Sequence, residues 1–223
     1  MRAKDTESSP ARRMFLARLG IGSGVLGASL VGSSAAHAAW RPARHNSDDW
    51  LDSIHGIHRA IFDTTTPDEM QAALRYAQNF YLANQKAYGL KDSDLAVVIV
   101  VRHTSTPFGY NDAMWAKYGK PLSEQMSFTD PKTKQPPSVN LFAAPASGST
   151  PAGRLVDLIG RGAQIAVCET ATRELAEAAG QSMGISADVV ANELSSNLIR
   201  GARMVPAGIV TINRAQERGY TLM

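Results

Sequence analysis

Three side chains able to move protons or attack an electrophile each stand at or just beyond the end of a strand-like run. Asp63 closes the run 57–63, His103 follows Leu95–Val101, and Cys168 comes directly after Ala163–Val167. A thiol at the start of a helix is favoured as thiolate, because the amide end of the helix stabilises negative charge. A neighbouring imidazole would accept or share its proton, and a carboxylate would orient the pair or form a polar wall. Cys168, His103 and Asp63 are therefore the candidate catalytic residues. Arg102 beside His103 and Glu169 beside Cys168 are candidate ligand-binding residues. So are Thr64 and Thr65, in a turn whose helix-start amides suit an anion, even a flavin phosphate. That turn lacks the glycines that let backbone approach a phosphate closely. Each residue also has a purely structural reading: a cysteine as a small buried apolar group, Asp63 as a helix cap, His103 as the anchor of a loop.

The elements that would place these residues alternate between strand and helix. Residues 57–63 read as a strand. Thr66-Pro67-Asp68-Glu69 reads as a helix start, with a Thr cap, a first-turn proline and early acids. The helix runs over about 68–88 with Met70, Leu74, Ala77, Tyr81 and Leu82 to one side, and Gly89 stops it. Leu95–Val101 is almost wholly aliphatic, as in a strand covered on both faces. A short helix is expected over 111–118, a long functional or mobile loop over 119–149, and a helix over 151–160. The strand 163–167 precedes a helix capped by Thr170 or Thr172 and ending near Ala179. A helix follows Ser186 to about Ile199. Residues 207–212 read as a strand, 214–218 as a short helix, and 220–222 as a small edge strand. The sum is an α/β fold: one three-layer α/β/α domain around a mostly parallel sheet, flavodoxin-like in topology. In such a sheet, ligands lie beyond the carboxyl ends of the strands, where the candidate residues cluster.

The first forty residues read as an address. Arg12-Arg13 precede Met14-Phe15-Leu16, a Gly-, Ala- and Ser-rich apolar run follows, and Ala36-His37-Ala38 forms a small-residue cleavage signature. This pattern resembles a twin-arginine (Tat) signal peptide over residues 1–38, which implies a periplasmic protein. The run is too short and too polar for a membrane span, and no second long apolar run exists. Residues 39–56 read as a linker or arm. The net charge of +3 for the whole chain comes from Arg2, Lys4, Arg12, Arg13 and Arg18 against Asp5 and Glu7. The remainder is near neutral, so no nucleic-acid partner and no membrane span after cleavage are expected. With one cysteine, the exported chain has no internal disulfide to rely on. CxxC and HExxH are absent, and His55 and His58 would share a side only on a helix, so no metal and no cofactor is expected.

The segment Gly162-Ala163-Gln164-Ile165-Ala166-Val167-Cys168 with its following helix resembles the DsrE/DsrF-like family. So do Met204-Val205-Pro206-Ala207-Gly208-Ile209-Val210 and Gln216-Glu217-Arg218-Gly219-Tyr220. The blocks 58–63 and 102–115 are similar to those of exported members with Tat signals. The resemblance spans about 57–223. It implies a three-layer sandwich, assembly as a trimer or hexamer, and a cysteine at the position of Cys168 that carries sulfur as a persulfide between a donor and an acceptor protein. The alternatives are a periplasmic ligand-binding module without covalent chemistry and an oligomeric accessory protein.

Overall fold

Five parallel strands run in the order β4-β3-β2-β1-β5. They are β1 (His58–Thr64), β2 (Leu95–Val101), β3 (Gln164–Cys168), β4 (Ala202–Val205) and β5 (Thr221–Leu222). The computed structural model describes residues 41–143 and 155–223. The leader over 1–38, residues 144–149 of the expected 119–149 loop, and residues 151–154 at the start of the expected 151–160 helix lie outside the described residues. Residues 42–223 make one unit.

The central strands β2 and β3 are chiefly aliphatic on both sides because both faces are covered. One face carries Phe62, Val97, Ile99, Val101, Ile165 and Val167. It packs under α2 (Pro67–Tyr88), α3 (Asp112–Met126), α4 (Leu155–Gly160), α5 (Glu169–Met183) and α6 (Ala187–Ser196). The opposite face carries Ile61, Val98, Val100, Ala166 and Val205 beneath α1 (Trp50–Ser53) and α7 (Gly208–Gln216). The molecule is an α/β/α sandwich, flavodoxin-like in its layering. Every residue of β2 is buried, as a central parallel strand requires.

Local chemistry sets the ends of the elements. The Thr66 hydroxyl accepts the Glu69 N–H at 3.2 Å, Pro67 occupies the first turn of α2, and Gly89 ends it at φ 67°. Met70, Leu74, Ala77 and Tyr81 are buried, but Leu82 is exposed. At about 100° per residue, a position directly after Tyr81 has already turned off the apolar stripe.

Four expectations are corrected. Residues 207–212 are not a strand: α7 starts at Gly208, and β4 lies earlier, at Ala202–Val205. The β-branched residues Ile209, Val210 and Ile212 imitate a strand, yet the buried positions Gly208, Thr211, Ile212 and Ala215 follow the helical period. Residues 119–126 are not loop but the second half of α3, which continues through Pro121. Residues 46–53 are not a free arm: a 3₁₀ turn over Asn46–Asp48 and the helix α1 bury Trp50 and Leu51 against the sheet. The helix α5 is capped by Cys168 itself rather than by Thr170 or Thr172, and it runs on to Met183. No helix among the described residues is long and apolar enough to cross a membrane.

Candidate functional site

Cys168 is the last residue of β3 and the N-cap of α5. Its Sγ accepts the Ala171 N–H at 3.5 Å, the role a Ser or Asp oxygen fills at most helix starts. Alternation along β3 places it on the same side as Ala166, the α7 side of the sheet. Behind it, the Thr172 hydroxyl donates to the Cys168 carbonyl at 2.9 Å and accepts the Tyr110 hydroxyl at 2.8 Å. Tyr110 is fully buried, and burial holds its hydroxyl protonated well above the usual phenol range. This chain fixes the strand-to-helix corner and thus the direction of the sulfur.

The loop after β2 supplies the opposite wall. The Arg102 N–H bonds the Thr64 carbonyl at 3.1 Å and the Ser105 N–H bonds the Thr65 carbonyl at 3.2 Å. Between them, His103 adopts φ 55°, a left-handed conformation that non-glycine residues take at a cost of about 1–2 kcal/mol. Gly109 ends this 3₁₀ segment against β3, where a Cβ would stand 2.5 Å from Val167 Cγ2. The His103 side chain is exposed and makes no hydrogen bond among the described residues.

Arg102 reaches back to Asp63 at the end of β1. Its Nε donates to Oδ1 at 2.8 Å and its Nη2 to Oδ2 at 2.7 Å, a two-point fork. These bonds raise the guanidinium above its ordinary range, partial burial opposes them, and the charges of Asp63 and Cys168 act in the same raising sense. Both carboxylate oxygens of Asp63 are thereby engaged by Arg102.

Arg102, His103 and Cys168 line one cleft of about 170 Å³, closed by Thr170, Ala171 and Glu174 from α5 and by Ala207, Gly208 and Ile209 at the start of α7. The structure thus brings together three of the residues expected from sequence. It does not bring in the others. Thr64 is fully buried, its hydroxyl bonded to the Val100 carbonyl at 2.8 Å and to Ser105 at 2.9 Å. The Thr65 N–H and hydroxyl both donate to the Glu69 carboxylate, so the anion at this helix start is the chain's own. Glu169 pairs with Arg173 one turn along α5 at 2.7 Å. The sequence does not reveal Glu174, because nothing local marks which side of α5 faces the cleft, nor the α7 residues, because α7 reads as a strand. Their signal was Gly208: a Cβ there would lie 2.8 Å from Arg102 Cβ and 2.9 Å from Val100 Cγ1, so only glycine lets α7 begin against the arginine.

Among the described residues no group of three or more His, Cys, Asp or Glu side chains is arranged to hold a metal ion. No protein-family model and no curated protein matches the chain. Among solved structures, a protein of unknown function, MTH1491 from Methanobacterium thermoautotrophicum, is similar at 16% identity and a TM-score of 0.37, over 74% of this chain and 97% of that one.

Proposed function

We propose that the cleft handles sulfur: Cys168 carries a sulfane sulfur as a persulfide between a donor and an acceptor, in the manner implied by the chain's resemblance to DsrE-like proteins. The observation that supports this most directly is the placement of the only cysteine of the sequence. Although only 6% exposed, it forms the N-cap of a helix and lines a cleft with a guanidinium and an imidazole among its other lining groups.

In loading, His103 takes the thiol proton and the Cys168 thiolate attacks the outer sulfur of a donor persulfide R–S–SH. A Cys168–sulfur bond forms, the donor S–S bond breaks, and RS⁻ leaves and is protonated. Unloading is the same exchange with an acceptor thiolate. No external oxidant or reductant is needed, because the sulfur moves without net electron change. With this reading go export by the Tat route to the periplasm, assembly of the domain as a trimer or hexamer, and separate donor and acceptor proteins.

Intact-mass analysis of protein purified without reductant, before and after incubation with a sulfane-sulfur donor, tests the reading. The expected result is a gain of about 32 Da that maps to Cys168 and is absent in Cys168→Ser. A thiol that neither gains sulfur nor alkylates until the chain is unfolded makes Cys168 a core residue. The ligand-binding or assembly reading then takes precedence.

A further inference from the structure

A second polar cleft, of about 360 Å³, opens at the amino ends of β2 and β3, the opposite end of the sheet from Cys168. Its walls include Trp50, Asp92, Ser93, Arg161, Gln164 and Arg203. Two guanidiniums line it, each over an aromatic ring: Arg203 lies 4.6 Å from the centre of the Trp50 ring and Arg161 lies 4.4 Å from that of Tyr81. A guanidinium over a ring face is restrained by the cation–π attraction while its N–H groups stay available to a further partner.

The two arginines differ in what else they hold. Arg161 donates its Nε and Nη2 to Asp92 at 3.0 and 2.8 Å, and its Nη1 has no partner among the described residues. Arg203 has no hydrogen bond and no ion pair among the described residues, so all five of its donors are open. Of the charged side chains on these walls, two are positive and Asp92 alone is negative, an excess of one positive charge. The Gln164 amide, which makes only a 3.5 Å contact to the Gly162 carbonyl, adds a further donor.

We propose that this cleft binds a tetrahedral oxyanion, as free phosphate or sulfate or as the phosphoryl group of a larger molecule, gripped by Arg203 and by Nη1 of Arg161. A single Arg fork saturates the two oxygens of a carboxylate. Donors from two guanidiniums and an amide lining one cleft can instead serve the three or four oxygens of a tetrahedral anion. Trp50 orients Arg203 and reports on it, since its ring forms the floor of the stack.

Calorimetric and tryptophan-fluorescence titrations of the full chain in a phosphate-free, low-salt buffer test the proposal, with inorganic phosphate, sulfate, phosphoserine and acetate in separate arms. Phosphate is expected to saturate one site below about 1 mM, and acetate to bind at least about tenfold more weakly. Arg203→Gln is expected to weaken phosphate about tenfold or more without lowering the melting temperature, whereas Cys168→Ser binds as the parent does. Binding of phosphoserine tighter than that of phosphate identifies a phosphoryl group on a larger molecule as the ligand, and the reverse order identifies the free anion. Absence of saturation by about 10 mM phosphate, acetate binding as tight as phosphate, or an Arg203→Gln variant that binds normally would each overturn the proposal. None of these outcomes depends on whether Cys168 carries sulfur.

Discussion

Asp63 grips Arg102 through both carboxylate oxygens, at 2.8 and 2.7 Å, and so fixes the arginine that walls the Cys168 cleft. The two residues stand at the ends of neighbouring strands, with Asp63 in register with Val100 of β2. Both side chains are about a quarter exposed, so the pair contributes little to stability, on the order of 1 kcal/mol or less. Its effect falls on position. In Asp63→Asn one oxygen remains to accept, and the amide N–H₂ repels the guanidinium. Alkylation of Cys168 by iodoacetamide is expected to slow about threefold to tenfold, with the denaturation midpoint nearly unchanged. An unaltered alkylation rate together with a clear loss of stability would make the pair structural only.

Gly208 is the second control point of that cleft. The Cβ of an alanine would meet Arg102 Cβ at 2.8 Å, Val100 Cγ1 at 2.9 Å and Arg102 Cδ at 3.0 Å. Two of these three atoms belong to the arginine, so relief of the clash must displace either α7 or Arg102. Gly208→Ala is expected to destabilise the domain by about 1–3 kcal/mol despite its better helix propensity. It is also expected to alter Cys168 alkylation, which a purely remote packing defect would leave alone. Thermal unfolding and labelling kinetics on the same preparation separate the two effects.

The strands that end at or just before Asp63, Arg102 and Cys168 are legible from the aliphatic runs of β2 and β3 and the strand-like segment before Asp63, and the carboxyl-end rule groups their terminal residues. What the sequence hid was pairing. Nothing in the order of residues says that Asp63 is bound by Arg102, 39 positions away, or that Thr65 turns its donors onto Glu69. Local signals also misled where tertiary packing overrode them. The β-branched Ile209 and Val210 suggest a strand, but their side chains face solvent from a helix whose buried stripe is Thr211, Ile212 and Ala215. Trp50 looked like part of a linker because the short helix that buries it has too few residues to show a period.

Glu69 gives a pH signature to the start of α2. It accepts the N–H and hydroxyl of Thr65, and these bonds, the hydroxyl's first, hold its carboxyl below the ordinary value of 4.5. A carboxylate depressed in the folded state contributes stability that is fully present above its unfolded pKa and is lost as the pH falls through the folded one. The stability of the parent should therefore decline as the pH is lowered from 4.5. Glu69→Gln, which cannot titrate, should be less stable at neutral pH and lose less on acidification. Urea midpoints measured across that range check this, and parallel curves for the two proteins would remove Glu69 from the account.

Arg218 ties the two ends of the domain together. Its side chain is only 1% exposed. Its Nε donates to Asp52 at 3.1 Å and its Nη1 to the Arg214 carbonyl at 3.2 Å, while Nη2 lies 3.9 Å from Asp49. Arg214 extends the same network to Asp48 at 3.8 Å and Glu217 at 2.9 Å. The N-terminal segment 46–53 is thereby fastened beside α7, with the Tyr220 hydroxyl adding a 2.8 Å bond to the Leu51 carbonyl. Removing a buried charge that holds partners costs more than an exposed pair does, but Asp49 and Asp52 keep access to water. Arg218→Leu should therefore cost about 1–3 kcal/mol, a fall of roughly 3–10 °C in melting temperature for a domain of this size. Hydrogen exchange should report the loss first at Trp50, Leu51 and the end of α7, because only those segments lose a fastening. Uniform acceleration across the sheet would instead show that Arg218 supports the whole domain.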